Sequence, residues 1–284
     1  MSLARAPGSN SPISAQEPIP RLLRDLIHER TGVFFEADRF DMMLEKIGSR
    51  ARELNCVSFL DYYYILKYNE KGDEEWRRVM DALSVQETYF WREFDQIRVL
   101  VDILIPQLAQ RGKPIRVWSS ACASGEEPYS IAIALAERRW GGVPVEIFGS
   151  DASEAALAKA KTGIFRERSF RAFPSELRAK YFEQQRDGLL LHPEIRTKVN
   201  FQWANLMQLE DFPLTEHVDV IFCRNVFIYF SPTAIKRVIA AFSRRLAPGG
   251  HLFVGSSESL LKLTTQFDLQ EISGAFAYVR NTAA

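Results

Sequence analysis

The sequence predicts an α/β protein in which a small all-α domain precedes a mostly parallel sheet that closes with a C-terminal antiparallel hairpin. Short apolar runs alternate with helical stretches after about residue 113, and strands that alternate with helices build parallel sheets with right-handed crossovers. Before that point, from Leu22 to about Leu83, apolar residues recur at helical spacing. This spacing indicates a bundle of short helices.

The alternating region divides into separate predicted elements. The predicted strands are 115–119, 145–150, 199–204, 218–223 and 251–256, and the predicted helices are 127–140, 153–162 and 232–246. The closing segment FDLQEISGAFAYVR holds two strand-like runs around a Ser-Gly turn, which predicts the hairpin. Between about 163 and 198 the alternation stops, with a helical piece, a polar turn at 184–188 and a short strand at 189–192. This interruption predicts a small inserted β-subdomain.

Composition and length set the domain organisation. A length of 284 residues suits two domains, and 46% apolar with 25% charged residues excludes wholesale disorder. Residues 1–17 are rich in Ser, Pro, Ala and Gly and are predicted to be a disordered tail. We assign residues 18–88 to the helical domain and residues 89–284 to the α/β domain.

Several classes of protein are disfavoured by the sequence. No run approaches the ~20 apolar residues that a membrane span needs, and the N-terminus lacks an apolar signal core, so we expect a cytoplasmic protein without direct membrane insertion. The 36 Lys and Arg residues balance 36 Asp and Glu residues, which argues against an electrostatic grip on nucleic acid. Because the cysteines and histidines are scattered, neither a disulfide framework nor a metal site is expected.

The predicted strand ends carry residues suited to a nucleoside ligand. The first strand runs into SACASGEEPYS, whose small residues let a ligand approach the backbone before a helix. This turn lacks the G-x-G-x-x-G fingerprint of dinucleotide sites. Asp151 ends the second strand, where it could hold ribose hydroxyls or could simply cap the helix that begins near Ser153. After the third strand, Asn205 could offer an amide to an adenine edge while Leu206 packs on the ring.

Five segments together resemble one known family. They are SVQETYFWRE (84–93), SSACASGEEPYSIA (119–132), FGSDAS (148–153), FCRNVFIYF (222–230) and LAPGGHLFVGSSES (246–259). They are similar to the motifs of the chemotaxis receptor methyltransferases, the CheR family, over about residues 20–280. The resemblance implies a Rossmann-like class I methyltransferase sheet, the cofactor S-adenosylmethionine and the product S-adenosylhomocysteine. The implied reaction esterifies glutamate side chains of a bacterial chemoreceptor.

The resemblance also implies the residues of the site. The cofactor pocket would be lined by Gln86, Thr88, Arg92, Glu127, Asp151, Asn205, Leu206, Arg224 and Asn225. Gln86 stands where the family often has Asn, which keeps the amide but changes its reach. Arg92 would orient the incoming carboxylate. Tyr229 would supply a hydroxyl and an aromatic face near the methyl group, the alternative being a core aromatic residue.

Receptor recognition is predicted on the second helix. Arg39, Lys46 and Arg50 are seven and eleven residues apart, so they fall on one helix face within about 40°. A solvated face is the alternative, whereas the resemblance favours docking on the acidic methylation helices in the cytoplasmic domain of methyl-accepting chemotaxis proteins. The turn QQRDGL is shorter than the Gly-containing loop of family members that tether to a receptor pentapeptide. We therefore predict that the enzyme acts independently of such a pentapeptide. We also expect a monomer.

Three other functions have less support in the sequence. A nicotinamide oxidoreductase would need the glycine fingerprint. A nucleic-acid methyltransferase that acts on amino groups would carry an Asn/Asp-Pro-Pro-aromatic tetrapeptide after the fourth strand, where this chain has CRNV. A catalytically idle receptor-binding module is disfavoured because Arg92 and Tyr229 are both present.

Overall fold

The computed structural model describes residues 18–69, 72–212 and 217–281. The predicted disordered tail, residues 1–17, lies outside the described residues. The described chain divides into two compact units, one made of residues 18–30 and 34–83 and the other of residues 31–33 and 84–281. In the part of the chain that the structure describes, no helix combines the length and apolar character that crossing a bilayer requires.

The first unit is helical, as predicted. Its helices are α1 (Ile19–Thr31, of which the part up to Arg30 belongs to this unit), α2 (Phe40–Glu53), α3 (Phe59–Tyr68) and α4 (Gly72–Leu83). A capping box starts α3, because Ser58 and Asp61 each accept a hydrogen bond from the other's backbone N–H. The buried carboxylate of Glu75 on α4 accepts hydrogen bonds from Arg50 on α2 and from the hydroxyl of Tyr62 on α3. This polar contact therefore joins three of the helices.

The second unit is built on ten strands. They are β1 (Ile115–Ser120), β2 (Val145–Asp151), β3 (Ile164–Phe165), β4 (Phe182–Gln185), β5 (Gly188–Leu191), β6 (Val199–Trp203), β7 (Val218–Cys223), β8 (Leu246–Val254), β9 (Phe267–Ile272) and β10 (Ala275–Arg280). Seven of these strands form one sheet in the order β6-β2-β1-β7-β8-β10-β9. The first five are parallel, and β10 is antiparallel to both β8 and β9. The predicted fold class is confirmed.

The central strands are buried on both faces, which explains their continuous apolar sequences. On β7, Val220 and Phe222 face one hydrophobic cluster, whereas Ile221 and Cys223 face another. This alternation follows from the two-residue period of a strand. The helices of the second unit that pack on these faces or beside them are α5 (Phe94–Val99), α6 (Ile105–Ala109), α7 (Glu126–Glu137), α8 (Glu154–Thr162), α9 (Ser175–Tyr181), α10 (Pro193–Arg196) and α11 (Pro232–Arg245).

Three details of the second unit differ from the predictions. The segment before β1, for which no element was predicted, forms α5, a π-helical turn (Leu100–Leu104) and α6. The helix predicted to reach residue 140 ends at Glu137, because Arg139 takes a left-handed φ of 57°. The strand predicted at 251–256 is β8, which begins earlier, at Leu246. Val218 pairs with Leu246 and Val220 pairs with His251, so the residues 247–250 lie in a register shift inside the strand.

The inserted segment and the terminal hairpin have the predicted form. β3, β5 and β4 make a three-stranded antiparallel sheet, and β4 and β5 are joined by Arg186 and Asp187 alone. The polar turn is therefore two residues long, shorter than the predicted span of 184–188. In the terminal hairpin, Ser273 and Gly274 have φ values of 49° and 85°, as a tight two-residue turn between twisted strands requires.

Candidate active site

The sheet order places one crevice at the carboxyl ends of the strands. The chain runs outward from β1 through β2 to β6 and then returns to β7 on the other side of β1. Ligands of such sheets bind outside the carboxyl ends at this point of reversal. Ser119 of β1 pairs in register with Gly149 of β2 and Phe222 of β7, so the turns that follow these strands meet at one edge.

The turn after β1 is tight and made of small residues. Ala121, Ala123 and Gly125 have φ values of 63°, 48° and 93°, a left-handed conformation that is uncommon for residues other than glycine. A Cβ on Gly125 would lie 3.0 Å from the Cβ of Ala160 and 3.1 Å from the ring of Phe201. The turn therefore keeps the start of α7 close to its neighbours and leaves little side-chain bulk at the crevice.

The carboxylate of Asp151 fixes this turn to the end of β2. Its oxygens accept hydrogen bonds from the backbone N–H groups of Ala123 and Ser153, both at 2.8 Å. The helix cap of α8 is Ser153, whose hydroxyl accepts from Ala156 N at 3.0 Å. The alternative that Asp151 is this cap is therefore wrong. Asp151 is half-buried at the edge where a ribose acceptor was predicted.

A buried ion pair joins the first turn of α7 to the residue that follows β7. The carboxylate of Glu127 accepts from Arg224 Nε and from the Ser119 hydroxyl, each at 2.6 Å. Arg224 Nη1 also donates to the main-chain oxygen of Arg92 at 2.9 Å and to that of Glu93 at 3.3 Å. The side chain of Arg224 is 2% exposed and that of Glu127 is 12% exposed. The pair therefore links the strand edge to the segment that carries Arg92.

Arg92 lies in a strained segment that is held from several sides. Its neighbours Trp91 and Glu93 have left-handed φ values of 65° and 48°, and such residues concentrate at functional sites. Trp91 N donates to the hydroxyl of Ser130 at 3.2 Å, and the Glu93 carboxylate accepts from Ser256 N at 3.1 Å. These contacts fix the backbone on both sides of Arg92.

Arg92 is half-buried as a residue, and its guanidinium lies beside an aromatic ring. Arg92 Nη1 donates to the main-chain oxygen of Glu87 at 2.8 Å, and its guanidinium carbon lies 5.4 Å from the centre of the Tyr89 ring. Arg171 of the inserted segment lies 3.8 Å from the same ring centre and donates to the Glu87 carboxylate at 2.6 Å. The structure therefore brings a second arginine to this place, which the sequence analysis did not predict.

The loop after β7 depends on a carboxylate that the sequence analysis missed. Glu258 accepts hydrogen bonds from the backbone N–H groups of Asn225, Val226, Phe227 and Gly255 at 2.7–2.8 Å, and from that of Ile228 at 3.3 Å. Glu258 follows β8 in the quoted motif LAPGGHLFVGSSES, which was its only signal in the sequence. Asn225, at a φ of 59°, is the second residue of this loop, which also carries Tyr229.

Tyr229 is at the surface of this loop. It ends a short 3-10 turn (Phe227–Tyr229), and 38% of the residue is exposed. The alternative that Tyr229 is a core aromatic residue is therefore wrong.

The remaining predicted cofactor residues make contacts within the protein. Asn205 Oδ1 accepts from Met207 N at 3.0 Å, so its side chain caps the 3-10 turn Leu206–Asp211, and Asn205 is 4% exposed. Leu206 is buried beside it. Gln86 Nε2 donates to the Ser153 hydroxyl at 3.2 Å, whereas Thr88, two residues further on, is half-buried.

Buried ionisable groups next to the turn have shifted pKa values. Burial raises the pKa of Glu126, which accepts hydrogen bonds from Ser124 and Ser169 at 2.8 Å. Burial also raises the pKa values of the thiols of Cys122 and Cys223 well above their usual range. Neither thiol is therefore a nucleophile at neutral pH. Among the described residues, no cluster of three or more His, Cys, Asp or Glu side chains could hold a metal ion.

The predicted receptor-binding residues lie in the helical unit. Arg39 is exposed but precedes α2, which begins at Phe40, so the prediction that it lies on the helix is wrong. Lys46 is half-exposed on α2. Arg50 forms an ion pair with the buried Glu75 at 2.7 Å, so its charge is already matched within the unit.

Both units match one family over most of the chain. Residues 86–276 match the CheR methyltransferase SAM-binding domain, and residues 21–84 match the CheR methyltransferase all-alpha domain. The chain belongs to the CheR methyltransferase family. The predicted resemblance is confirmed.

Curated CheR relatives cover nearly the same span. The chain is 36% identical over 262 residues to chemotaxis protein methyltransferase 2 of Vibrio cholerae, covering 90% of this chain and 91% of the relative. It is 37% identical to the chemotaxis protein methyltransferase of Vibrio parahaemolyticus, with coverages of 90% and 87%. It is 32% identical to that of Escherichia coli K12, with coverages of 88% and 87%.

This CheR chain is an S-adenosylmethionine-dependent methyltransferase, and the residues at its crevice fit that cofactor. The cofactor has ribose hydroxyls, which need an acceptor such as the Asp151 carboxylate at the end of β2. It has no phosphate, and the turn after β1 is correspondingly built of Ala and Ser rather than of the glycine-rich phosphate fingerprint. Small residues with left-handed backbone, as at Ala121 and Ala123, leave room for a ligand against the main chain.

Proposed function

We propose that this CheR-family enzyme transfers methyl groups from S-adenosylmethionine to glutamate side chains in the cytoplasmic helical domain of a bacterial chemoreceptor, forming methyl esters for chemotactic adaptation. The observation that carries the proposal is the place of Arg92, a half-buried cation beside the crevice. A cation there suits an acceptor that is a carboxylate. The names of the curated relatives, chemotaxis protein methyltransferases, support a receptor as the source of that carboxylate.

The proposed chemistry needs orientation more than proton transfer. A glutamate carboxylate has a pKa of about 4.3 in water and is ionised at neutral pH, so it needs no general base. The cofactor supplies an electrophilic methyl group on a sulfonium. Alignment of reacting groups can lower the activation barrier by on the order of 7–11 kcal/mol. Arg92 would bind one carboxylate oxygen and leave the other exposed to reaction, and the Tyr229 hydroxyl would be a second contact.

The cofactor contacts are assigned by position in the crevice. Asp151 would accept from the ribose hydroxyls, and Leu206, after the capping residue Asn205, would pack on the adenine ring. Glu127 and Arg224 form a closed ion pair, so we assign them to shaping the methionine end of the pocket. Gln86, Thr88 and Asn225 complete the proposed lining.

Receptor docking is assigned to the helical unit, with the enzyme acting as a cytoplasmic monomer. Arg39 and Lys46 would contact acidic receptor helices, and Arg50 would support them through its pair with Glu75. The two-residue turn between β4 and β5 supports independence from a receptor pentapeptide. Titration calorimetry with a receptor tail peptide tests this point, and binding at low micromolar concentration would contradict it.

Transfer of label tests the main proposal. The enzyme is incubated with methyl-labelled S-adenosylmethionine and individual purified receptors, and methylated peptides are mapped by mass. We expect a base-labile product on glutamate, abolished in Arg92→Ala and reduced in Tyr229→Phe. A base-stable product would identify another acceptor, and no transfer to any cognate receptor would favour an idle binding module.

A further inference from the structure

Two exposed arginines of the inserted segment lie on one side of a short turn. Arg168 belongs to the 3-10 turn Glu167–Phe170, and Arg171 follows it directly. Both residues are exposed. Because a 3-10 turn repeats every three residues, side chains three apart lie above one another. Arg168 and Arg171 therefore present their charges in the same direction.

This turn is attached to the segment that carries Arg92. Phe90 N donates to the main-chain oxygen of Ser169 at 2.9 Å. The Phe90 ring is fully buried and stacks on Phe170 with a centroid distance of 5.3 Å. Phe173 packs on the same ring at 5.3 Å. The position of the two arginines relative to Arg92 is thus fixed by a buried aromatic cluster rather than by the surface side chains.

Among the three arginines, Arg171 contacts the Glu87 carboxylate directly, whereas Arg92 and Arg168 act on it through their charges. The guanidinium carbons of Arg171 and Arg92 are 3.8 Å and 5.4 Å from the centre of the Tyr89 ring. Arg171 donates to the Glu87 carboxylate at 2.6 Å. The hydrogen bond and charge of Arg171, followed by the charges of Arg92 and Arg168, lower the pKa of Glu87. Glu87 and the three arginines together hold three positive charges and one negative charge, and the charge of Arg168 also acts on the buried Glu126.

We propose that Arg168 and Arg171, here called the arginine lip, bind a second carboxylate of the receptor about one helical turn from the glutamate that Arg92 orients. The inference rests on the proposed function and adds a sequence preference to it. An acidic protein segment is favoured over a nucleic acid because Arg171 already pairs with a carboxylate, that of Glu87, which is 61% exposed. On a receptor helix, the Cβ atoms of residues three or four positions apart are about 5–6 Å from each other, so two glutamates at this spacing can present their carboxylates to neighbouring guanidinium groups.

The first experiment neutralises the lip in the full-length enzyme. The double variant Arg168→Gln/Arg171→Gln is compared with wild type on a purified receptor cytoplasmic fragment. We expect KM for the fragment to rise about tenfold at low ionic strength, and the difference to shrink in high salt because exposed charge pairs are screened. The dissociation constant for S-adenosylhomocysteine should stay within about twofold, because the lip does not hold the cofactor.

Arg138 provides a matched control. It ends the helical region after α7 and pairs with Asp102 at 2.6 Å, with 44% of its side chain exposed. Arg138→Gln therefore removes the same charge and the same kind of ion pair as the loss of Arg171. It does so at the end of α7 that is remote from the crevice, about 18 Å along the helix at 1.5 Å per residue. We expect its KM to equal that of wild type.

Two further variants test the direction of the effect. Glu87→Gln removes the carboxylate that pairs with Arg171, so KM for the receptor fragment should fall by about threefold. A change of this size is typical of an exposed charge pair. In a second receptor fragment, the acidic residues one turn from the methylation site are changed to Gln. The wild-type enzyme should have a higher KM for this fragment than for the unaltered one. The same fragment should not raise KM further for the double variant, since the two changes remove one interaction.

The outcomes separate the inference from the function on which it rests. Suppose that wild type methylates the fragment and that the KM of the double variant stays within twofold of the wild-type value, or that Arg138→Gln changes KM by as much as the double variant does. Either result would refute the proposed role of Arg168 and Arg171 and would leave the proposed methylation activity supported. If wild type methylates no receptor fragment, both fail. Loss of binding to a duplex oligonucleotide in the double variant, with KM for the receptor unchanged, would assign the lip to nucleic acid and overturn the proposal.

Discussion

Replacing Glu258 by Gln tests how the loop after β7 is held. The carboxylate accepts five backbone N–H groups, three on Oε1 and two on Oε2. An amide has one acceptor oxygen and one NH2 donor. If its oxygen takes the place of Oε1, the N–H groups of Asn225 and Gly255 lose their acceptor and face a donor instead.

The loss can be estimated from the two broken contacts. Hydrogen bonds to charged groups contribute about 1.5–3 kcal/mol each. We take the lower end of this range, about 1.5 kcal/mol for each of the two bonds, because the loop borders solvent. We therefore expect Glu258→Gln to lower the free energy of unfolding by about 3 kcal/mol. We also expect kcat to fall about 10- to 100-fold, since a displacement of about 1 Å can cost this much.

Urea unfolding at fixed temperature, followed by circular dichroism, measures the first effect, and methyl transfer by the folded variant measures the second. Asp219→Asn is the control. Asp219 accepts from Arg116 N at 2.9 Å and pairs with Arg111 at the amino end of β7, so its loss should destabilise the protein without changing kcat. A Glu258→Gln variant within 0.5 kcal/mol of wild type, or an equal fall in kcat for both variants, would refute the reasoning.

Three further predictions concern buried ionisable groups. Glu127→Gln removes the carboxylate 2.6 Å from the buried Arg224 and leaves that of Glu93 at 4.0 Å. It should lower the free energy of unfolding by about 2–3 kcal/mol, because Glu93 and the main-chain acceptors offset part of a typical buried-pair loss; urea unfolding checks this, and no change would contradict it. Burial lowers the pKa of His251 below 6.5, so the unfolded chain binds a proton that the folded chain excludes. The contribution of His251 to stability should therefore be complete above pH 6.5 and should fall as the pH drops towards the lowered pKa. His251→Gln should reduce this dependence of the free energy of unfolding on pH, measured from pH 5.5 to 8. Because burial raises the pKa values of Cys122 and Cys223, both thiols should resist a disulfide reagent at pH 8 until urea is added, and rapid labelling of either in the native protein would count against the packing.

The parallel part of the sheet could be predicted because burial on both faces leaves a direct signature. β1, β2 and β7 are short, mostly apolar segments bounded by turns, and their observed limits lie within one residue of the predicted ones. β8 was predicted five residues too late, because Pro248 and Gly249 are typical of a turn. The structure instead places them in a register shift inside the strand, and such shifts depend on the neighbouring strand rather than on local sequence.

The positions of the strand-end residues could be predicted from the sequence, but their hydrogen-bond partners could not. The strand-end rule located Asp151 and the loop after β7, since strand ends are recognisable in sequence. The contacts of Arg224 with Glu127, and of Glu258 with the loop, join residues 97 and about 30 positions apart. No local pattern records such pairs. The same holds for Arg50, whose sequence position suggests a free surface charge and whose partner Glu75 is on another helix.

The place of β10 in the sheet sets an order for assembly during synthesis. β9 precedes β10 in the chain, yet β10 separates it from β8. A nascent chain that has emerged only as far as β9 therefore has no sheet neighbour for that strand, and the outer edge of β8 stays open to other chains. We expect chaperone binding, or aggregation through an unpaired strand, mainly while the ribosome-bound chain has this length.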